Sequence, residues 1–405
     1  MAAIRPFRAL RPARNTAALV SSVPYDVVST GEARQLAADN PLSFLHVTRS
    51  EIDLPPGTDP YSPQVYGKAR ENLAALRANA PLLLDTQPSL YFYRLRMGGH
   101  EQTGIAATFA VDEYEQDVIK KHERTRPDKE DDRTRHIVEL RAQTGVVFLT
   151  YRASEAIDQL CRALTADAPL YDFRADDGVH HTIWRVNADE ATALVDAFGR
   201  IPALYIADGH HRAASAARAR AELRASGEAR AADWFIAVAF PSNQMQILPY
   251  NRTVKDLAGQ TAGQFLAALR GRLPVREGAA TPRRRREVAM FLDGTWHALD
   301  LSGAAPADGS RASALDVALL QHHVLEPLLQ IGDVRTDKRI DFVGGARGTA
   351  ALEQAVTSGK AAVAFSLHPV TIDDLMSISD EGGIMPPKST WFEPKLRDGL
   401  LVHLI

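Results

Sequence analysis

Pro202-Ala203-Leu204-Tyr205-Ile206-Ala207-Asp208-Gly209-His210-His211-Arg212-Ala213-Ala214-Ser215-Ala216-Ala217-Arg218 is the stretch on which the fold of this chain turns. Its first five residues are an apolar run that opens with proline, the pattern of a buried strand. From Ala213 onward alanine dominates and no helix breaker intervenes, so the second half has strong helix propensity. Asp208 to Arg212 must then lie in the turn that starts the helix. There the first backbone N–H groups have no intrahelical acceptor and the helix dipole is positive. Gly209 lets the backbone come close to a ligand, and two imidazoles and a guanidinium add donors. A phosphate suits such a place.

An Asp-Gly pair is also a common turn, and Asp is a common helix cap. A structural turn has no need of three adjacent cationic or titratable side chains, however. Histidine titrates near neutral pH and can carry protons, and arginine pairs bidentately with phosphate oxygens. The run is therefore read as functional.

The rest of the chain sets bounds. Its 405 residues, 45% hydrophobic and 24% charged, suffice for two or three domains with their own cores. A net charge of −3 provides no general field for nucleic acid. The single cysteine, Cys161, permits no internal disulfide, which fits a reducing cytoplasm. No segment approaches the ~20 apolar residues that span a bilayer, and the opening residues lack the apolar core of a signal peptide.

Strand-like runs such as Ser89–Leu95, Thr182–Val186 and Trp234–Phe240 alternate with helical ones such as Val65–Leu73, and Gly98-Gly99-His100 reads as a hairpin turn. A mixed α/β (α+β) fold follows. Three consecutive parts are expected: an N-terminal α+β module over 1–150, a middle part over 151–275 with the Asp-Gly-His-His-Arg run, and a C-terminal α+β module over 276–405.

Three further clusters carry chemistry-bearing residues. Ile119 to His136 is dense in charge, much of it at the spacing of a solvated helix, but Thr125-Arg126-Pro127 forces a break. Before that break, Lys121-His122-Glu123 combines phosphate donors with a possible base. Arg335 to Gly348 contains Gly344-Gly345, which is able to bring backbone amides against an anion. Ile384 to Lys395 presents Lys388, Ser389 and Thr390 between stiffening prolines. The four arginines Arg283 to Arg286 read as a solvated surface run. No Walker loop, Rossmann fingerprint, His-Glu-x-x-His or paired cysteines occur, so a cage of protein ligands for a metal is not expected.

Pro24-Tyr25-Asp26, Lys121-His122-Glu123-x-Thr125, Ala207 to Arg212, Asp337 to Phe342 and Met385 to Phe392 together resemble a bacterial and archaeal family catalogued as domain of unknown function ten-fifteen. The Asp-Gly-His-His-Arg run is similar to the phosphate-gripping motif of the ParB and sulfiredoxin superfamily, which includes the free-serine kinases. This resemblance implies a ParB/sulfiredoxin-like nucleotide-binding core and phosphorylation of free L-serine to O-phospho-L-serine by ATP or ADP. It places Gly209, His211 and Arg212, with Lys121 and Arg133, on the nucleotide phosphates. Mg²⁺ is expected to arrive with the nucleotide, with Asp208 as its possible protein ligand. Asp208 and His210 become catalytic, Glu123 becomes the general base with Asp208 as its rival, and His122, Thr125, Lys388, Ser389 and Thr390 face the substrate. The partners implied are a nucleotide and L-serine, with neither membrane nor nucleic acid. Two other functions use the same residues: a nucleotide-gated ParB-like DNA-binding protein, and a nucleotide hydrolase or phosphatase.

Overall fold

The computed structural model describes residues 2–79, 82–225 and 230–405. It is a mixed α/β structure in two compact units. One comprises Met1–Lys121, Thr125–Met245 and Pro394–Ile405, the other His122–Arg124 and Gln246–Glu393.

The first unit is built on a mixed sheet, nine-stranded among the described residues. Its path runs Ile119–Lys120, Leu204–Asp208, Val147–Tyr151, Trp234–Pro241, His100–Ala110, Leu90–Met97, His180–Val186 and Tyr171–Arg174, with Ile4–Arg5 pairing on His100–Ala110. Val147–Tyr151 and Trp234–Pro241 run parallel and are apolar almost without interruption, as strands covered on both faces must be. Phe109, Tyr151, Phe198 and Phe235 meet edge-on or tilted in the core beneath them. Gly98 turns the hairpin between Leu90–Met97 and His100–Ala110, both longer than the sequence runs suggested.

Two helices flank the sheet's functional end. Pro127–Leu140 starts with proline at its first turn, as the Thr125-Arg126-Pro127 break predicts. It is not simply a solvated helix, because Asp132, Thr134, His136 and Ile137 are buried. His210–Ala225 packs on it, where the Ser215 hydroxyl donates to the Glu130 carbonyl at 3.2 Å and Arg218 pairs with Glu130 and Asp131. A second, four-stranded sheet places Val402–Leu404 between Ala9–Pro12 and Ala142–Gln143, with Leu82–Leu84 outermost.

The second unit centres on an antiparallel sheet in the order Val275–Glu277, Thr295–Asp300, Glu287–Leu292, Val363–Leu367, Tyr250–Val254, Ile340–Gly344. Gln246–Leu248 and Trp391–Glu393 form a separate ribbon. Arg283, Arg284 and Arg285 are exposed, as the charge run suggested.

The units differ from three consecutive modules. Position 150 falls within the strand Val147–Tyr151, which pairs with strands from both later parts of the first unit. The last twelve residues return to the first unit, because Val402–Leu404 hydrogen-bonds to strands near residues 9 and 142. Among the described residues no helix is long and apolar enough to cross a membrane.

Candidate functional site

Leu204, Tyr205, Ile206 and Ala207 are buried, so the strand carrying them is fixed in the sheet. Its register against Val147–Tyr151 shifts between Ile206 and Asp208, and the chain leaves the ladder there. Gly209 has φ +94, a backbone setting that strains any residue with a Cβ. The helix His210–Ala225 begins at the next residue, and the Ala213 N–H donates to the Gly209 carbonyl at 3.0 Å. Strand, glycine and helix start thus lie where the sequence places them.

Arg212 does something else than expected. Its side chain is 5% exposed, and its guanidinium turns inward: Nη1 donates to the Val146 carbonyl at 2.5 Å and Nη2 to the Asp26 carboxylate at 2.9 and 3.1 Å. The same Nη2 is 3.9 Å from Asp208 Oδ2. In place of a solvent-facing clamp for phosphate oxygens, Arg212 is a buried strut tying the turn to Asp26 and to the loop at Val146. Its Nε is buried with no hydrogen-bond partner and lies 3.4 Å from where a Cβ on Gly209 would sit.

Asp208, with its side chain 27% exposed, receives a hydrogen bond from Lys395 Nζ at 3.0 Å. Burial alone would make the Asp208 carboxyl a weaker acid, but Lys395, Arg212 and His210 outweigh it and hold the group well below the usual carboxylate range. Asp208 is therefore ionised at any physiological pH and a poor proton acceptor. Its charge suits it to a cation, such as an ammonium or a hard divalent ion. His211 Nε2 accepts the Arg126 N–H at 3.0 Å, so its proton sits on Nδ1 when the ring is neutral.

Behind the turn lies a buried cluster that the sequence did not reveal. The Tyr25 ring is sandwiched by cations, with the Arg133 guanidinium 4.2 Å from its centroid and that of Arg212 6.0 Å away. Arg133 is paired with Asp132 at 2.8 Å and 13% exposed, so it belongs to this packing and not to an open phosphate site. A cavity of about 20 Å³ lined by Tyr25, Arg133, Gly145 and Arg212 has room for a water molecule and no more. Asp398 is buried and its Oδ2 has no partner. Burial pushes its carboxyl up to about 7, against the pull of Arg212.

Lys121 and Thr125 serve local structure: Lys121 Nζ donates to the Tyr114 carbonyl at 2.7 Å and lies over the Tyr114 ring, while the Thr125 hydroxyl donates to Glu130.

In the second unit the structure brings His122 to the loop that carries Lys388, Ser389 and Thr390. The Met385 N–H donates to the His122 carbonyl at 2.8 Å, and His122 Nε2 is 3.4 Å from the Thr390 hydroxyl. Glu123 is half-buried beside it in sequence. Arg252, fully buried, donates to the carbonyls of Tyr250, Pro387 and Lys388 and so pins this loop, with Lys388 at φ +58. The Ser389 hydroxyl is turned to the Pro386 carbonyl at 2.5 Å. Gly344 and Gly345 prove to be packing glycines and not an anion cradle. A Cβ on Gly344 would meet the Trp391 ring at 2.5 Å, and one on Gly345 the Pro249 carbonyl at 2.7 Å.

Sequence reasoning missed Asp26, Lys395 and Asp398 as parts of the turn's surroundings. Asp26 and Lys395 stand in the quoted stretches, yet only the fold shows that positions 26, 208 and 395 converge.

Several solved structures are similar. SbnI with C-terminal truncation from Staphylococcus aureus is 14% identical at a TM-score of 0.40, over 74% of this chain and 87% of that one. A conserved hypothetical protein from Pyrococcus furiosus is 13% identical at a TM-score of 0.36, over 74% and 95%. A free serine kinase in complex with AMP is 12% identical at a TM-score of 0.36, over 74% and 91%. No curated protein matches the sequence. The family is assigned by a match over residues 4–318: the chain belongs to DUF1015, a family described as protein of unknown function.

Proposed function

We propose that this protein is a nucleotide-dependent kinase that phosphorylates free L-serine to O-phospho-L-serine, with ATP or ADP as donor and Mg²⁺ accompanying the nucleotide. The observation that carries this reading is the turn itself: Gly209 at φ +94 delivers the chain from a buried strand onto a sixteen-residue helix, with the ionised Asp208 and two histidines at its start. Its likeness to the serine-kinase motif supports the same reading.

The serine hydroxyl oxygen attacks the terminal phosphorus of the nucleotide, the bond from that phosphorus to the bridging oxygen breaks, and the hydroxyl proton passes to a carboxylate. Asp208 is ill suited to take it, because neighbouring cations make its conjugate acid too strong. Glu123 is therefore the base in this reading, and Asp208 holds a cation. Asp208 has the charge and oxygen donors that Mg²⁺ requires, and bound Mg²⁺ would neutralise phosphate charge. His210 and His211, with the first helical N–H groups, are assigned to the phosphates, and His122, Lys388 and Thr390 to the amino acid.

Incubation of the purified protein with ATP or ADP, Mg²⁺ and L-serine should yield phosphoserine, seen as the added mass of one phosphate. Nucleotide turnover that is indifferent to serine would instead mark a hydrolase, and absence of any nucleotide binding would end the proposal.

A further inference from the structure

Lys395 lies far from every phosphate-binding motif in the sequence, yet its Nζ is 3.0 Å from Asp208 Oδ2. Its position is set by an elaborate anchor two residues on. The Arg397 backbone N–H donates to the Tyr93 hydroxyl at 3.3 Å, its Nε to His181 Nε2 at 3.4 Å, and its Nη2 to Asp177. His181 is wholly buried, and burial together with Arg397 keeps it neutral. Because Nε2 accepts from Arg397, Nδ1 carries the proton and donates to Tyr93 at 2.8 Å. On the other side, the Asp398 backbone pairs with Ser22 in both directions, at 3.0 and 3.1 Å. Lys395 is thus held from a locked segment, its side chain 15% exposed.

A salt bridge alone would explain the Lys395 contact. The turn, however, has a second feature that points to a ligand: Arg212 Nε, on a side chain more than nine-tenths buried, has no acceptor and faces the open side of Gly209. A buried donor is costly to leave unsatisfied. An oxyanion at the turn would meet the helix start, this Nε and an ammonium group.

We propose that Lys395 is a phosphate-binding residue of the Asp208–Arg212 turn, taking the terminal oxygens of a di- or triphosphate, with Asp208 as the partner that keeps it in place while the site is empty. This deepens, and rests on, the kinase reading above.

Calorimetric titration with ADP and with metal-free inorganic pyrophosphate tests it. Lys395→Met should weaken pyrophosphate binding by about tenfold or more, the loss of one charge-assisted contact, while Lys395→Arg keeps most of it. Asp208→Asn, which frees the ammonium from its rival, should bind metal-free pyrophosphate at least as tightly as the parent, and Lys395→Met in that background should remove the gain. Thermal melts of each variant separate these effects from misfolding. Unchanged pyrophosphate affinity in a folded Lys395→Met protein overturns the proposal, as does a parent that binds neither probe. A parent that binds pyrophosphate through Lys395 but forms no phosphoserine overturns the serine-kinase reading and leaves Lys395 in place.

Discussion

At the scale of single residues, charge distribution sorts the carboxylates into different work. Asp208 is ringed by cations and stays ionised, so Asp208→Asn should abolish phosphoserine formation while changing unfolding free energy by only about 1 kcal/mol, the scale of a partly exposed ion pair. Glu123→Gln should lower kcat by ~10²-fold or more if that side chain accepts the proton, as measured by phosphoserine yield per enzyme. Asp398 shows the opposite environment. Its folded pKa of about 7 is raised by burial above an unfolded value of about 3.9. The folded state therefore holds a proton that the unfolded state has lost, and stability falls as pH rises from about 4 to about 7. Asp398→Asn should remove that slope, gaining stability relative to the parent at pH 8 compared with pH 5, as read from urea midpoints. A parallel shift at both pH values would show that Asp398 does not titrate in this window. Gly209→Ala tests the turn: Arg212 atoms at 3.4 Å leave ordinary room for a methyl group, so its cost is backbone strain of about 1–2 kcal/mol, visible in the same denaturation curves.

Among elements, the local rules of the sequence were strong where one element decides its own state. The proline-opened apolar run became the strand Leu204–Asp208, and the alanine-rich run became the helix His210–Ala225. Pro127 starts its helix as the missing N–H and fixed φ require. Gly344-Gly345 misled because a glycine pair looks the same whether it admits an anion or an indole. Gly344→Ala separates these uses: with Trp391 2.5 Å from the new methyl group, it should destabilise the second unit by about 1–3 kcal/mol and perturb tryptophan fluorescence. An alanine variant with the parent's fluorescence and stability would contradict the packing role.

For the whole molecule, the decisive fact is that the chain's last residues come back to its beginning. Val402–Leu404 sits between Ala9–Pro12 and Ala142–Gln143, and a strand inside a sheet has partners on both edges to lose. Removing residues 394–405 should therefore abolish a cooperative thermal transition of the first unit, whereas a dispensable tail would leave the melt unchanged. The sequence by itself determined the α/β class, the strand-glycine-helix turn at Asp208, and the chemical types gathered there, because propensity, proline geometry and glycine's freedom act over a few neighbouring residues. Only the tertiary structure decided which way Arg212 points, that Asp26 and Lys395 meet the turn, and that Asp398 is sealed from water. Those outcomes depend on pairing across more than 180 positions, on which side of a sheet a side chain emerges, and on how much solvent the packing leaves. No local pattern encodes these.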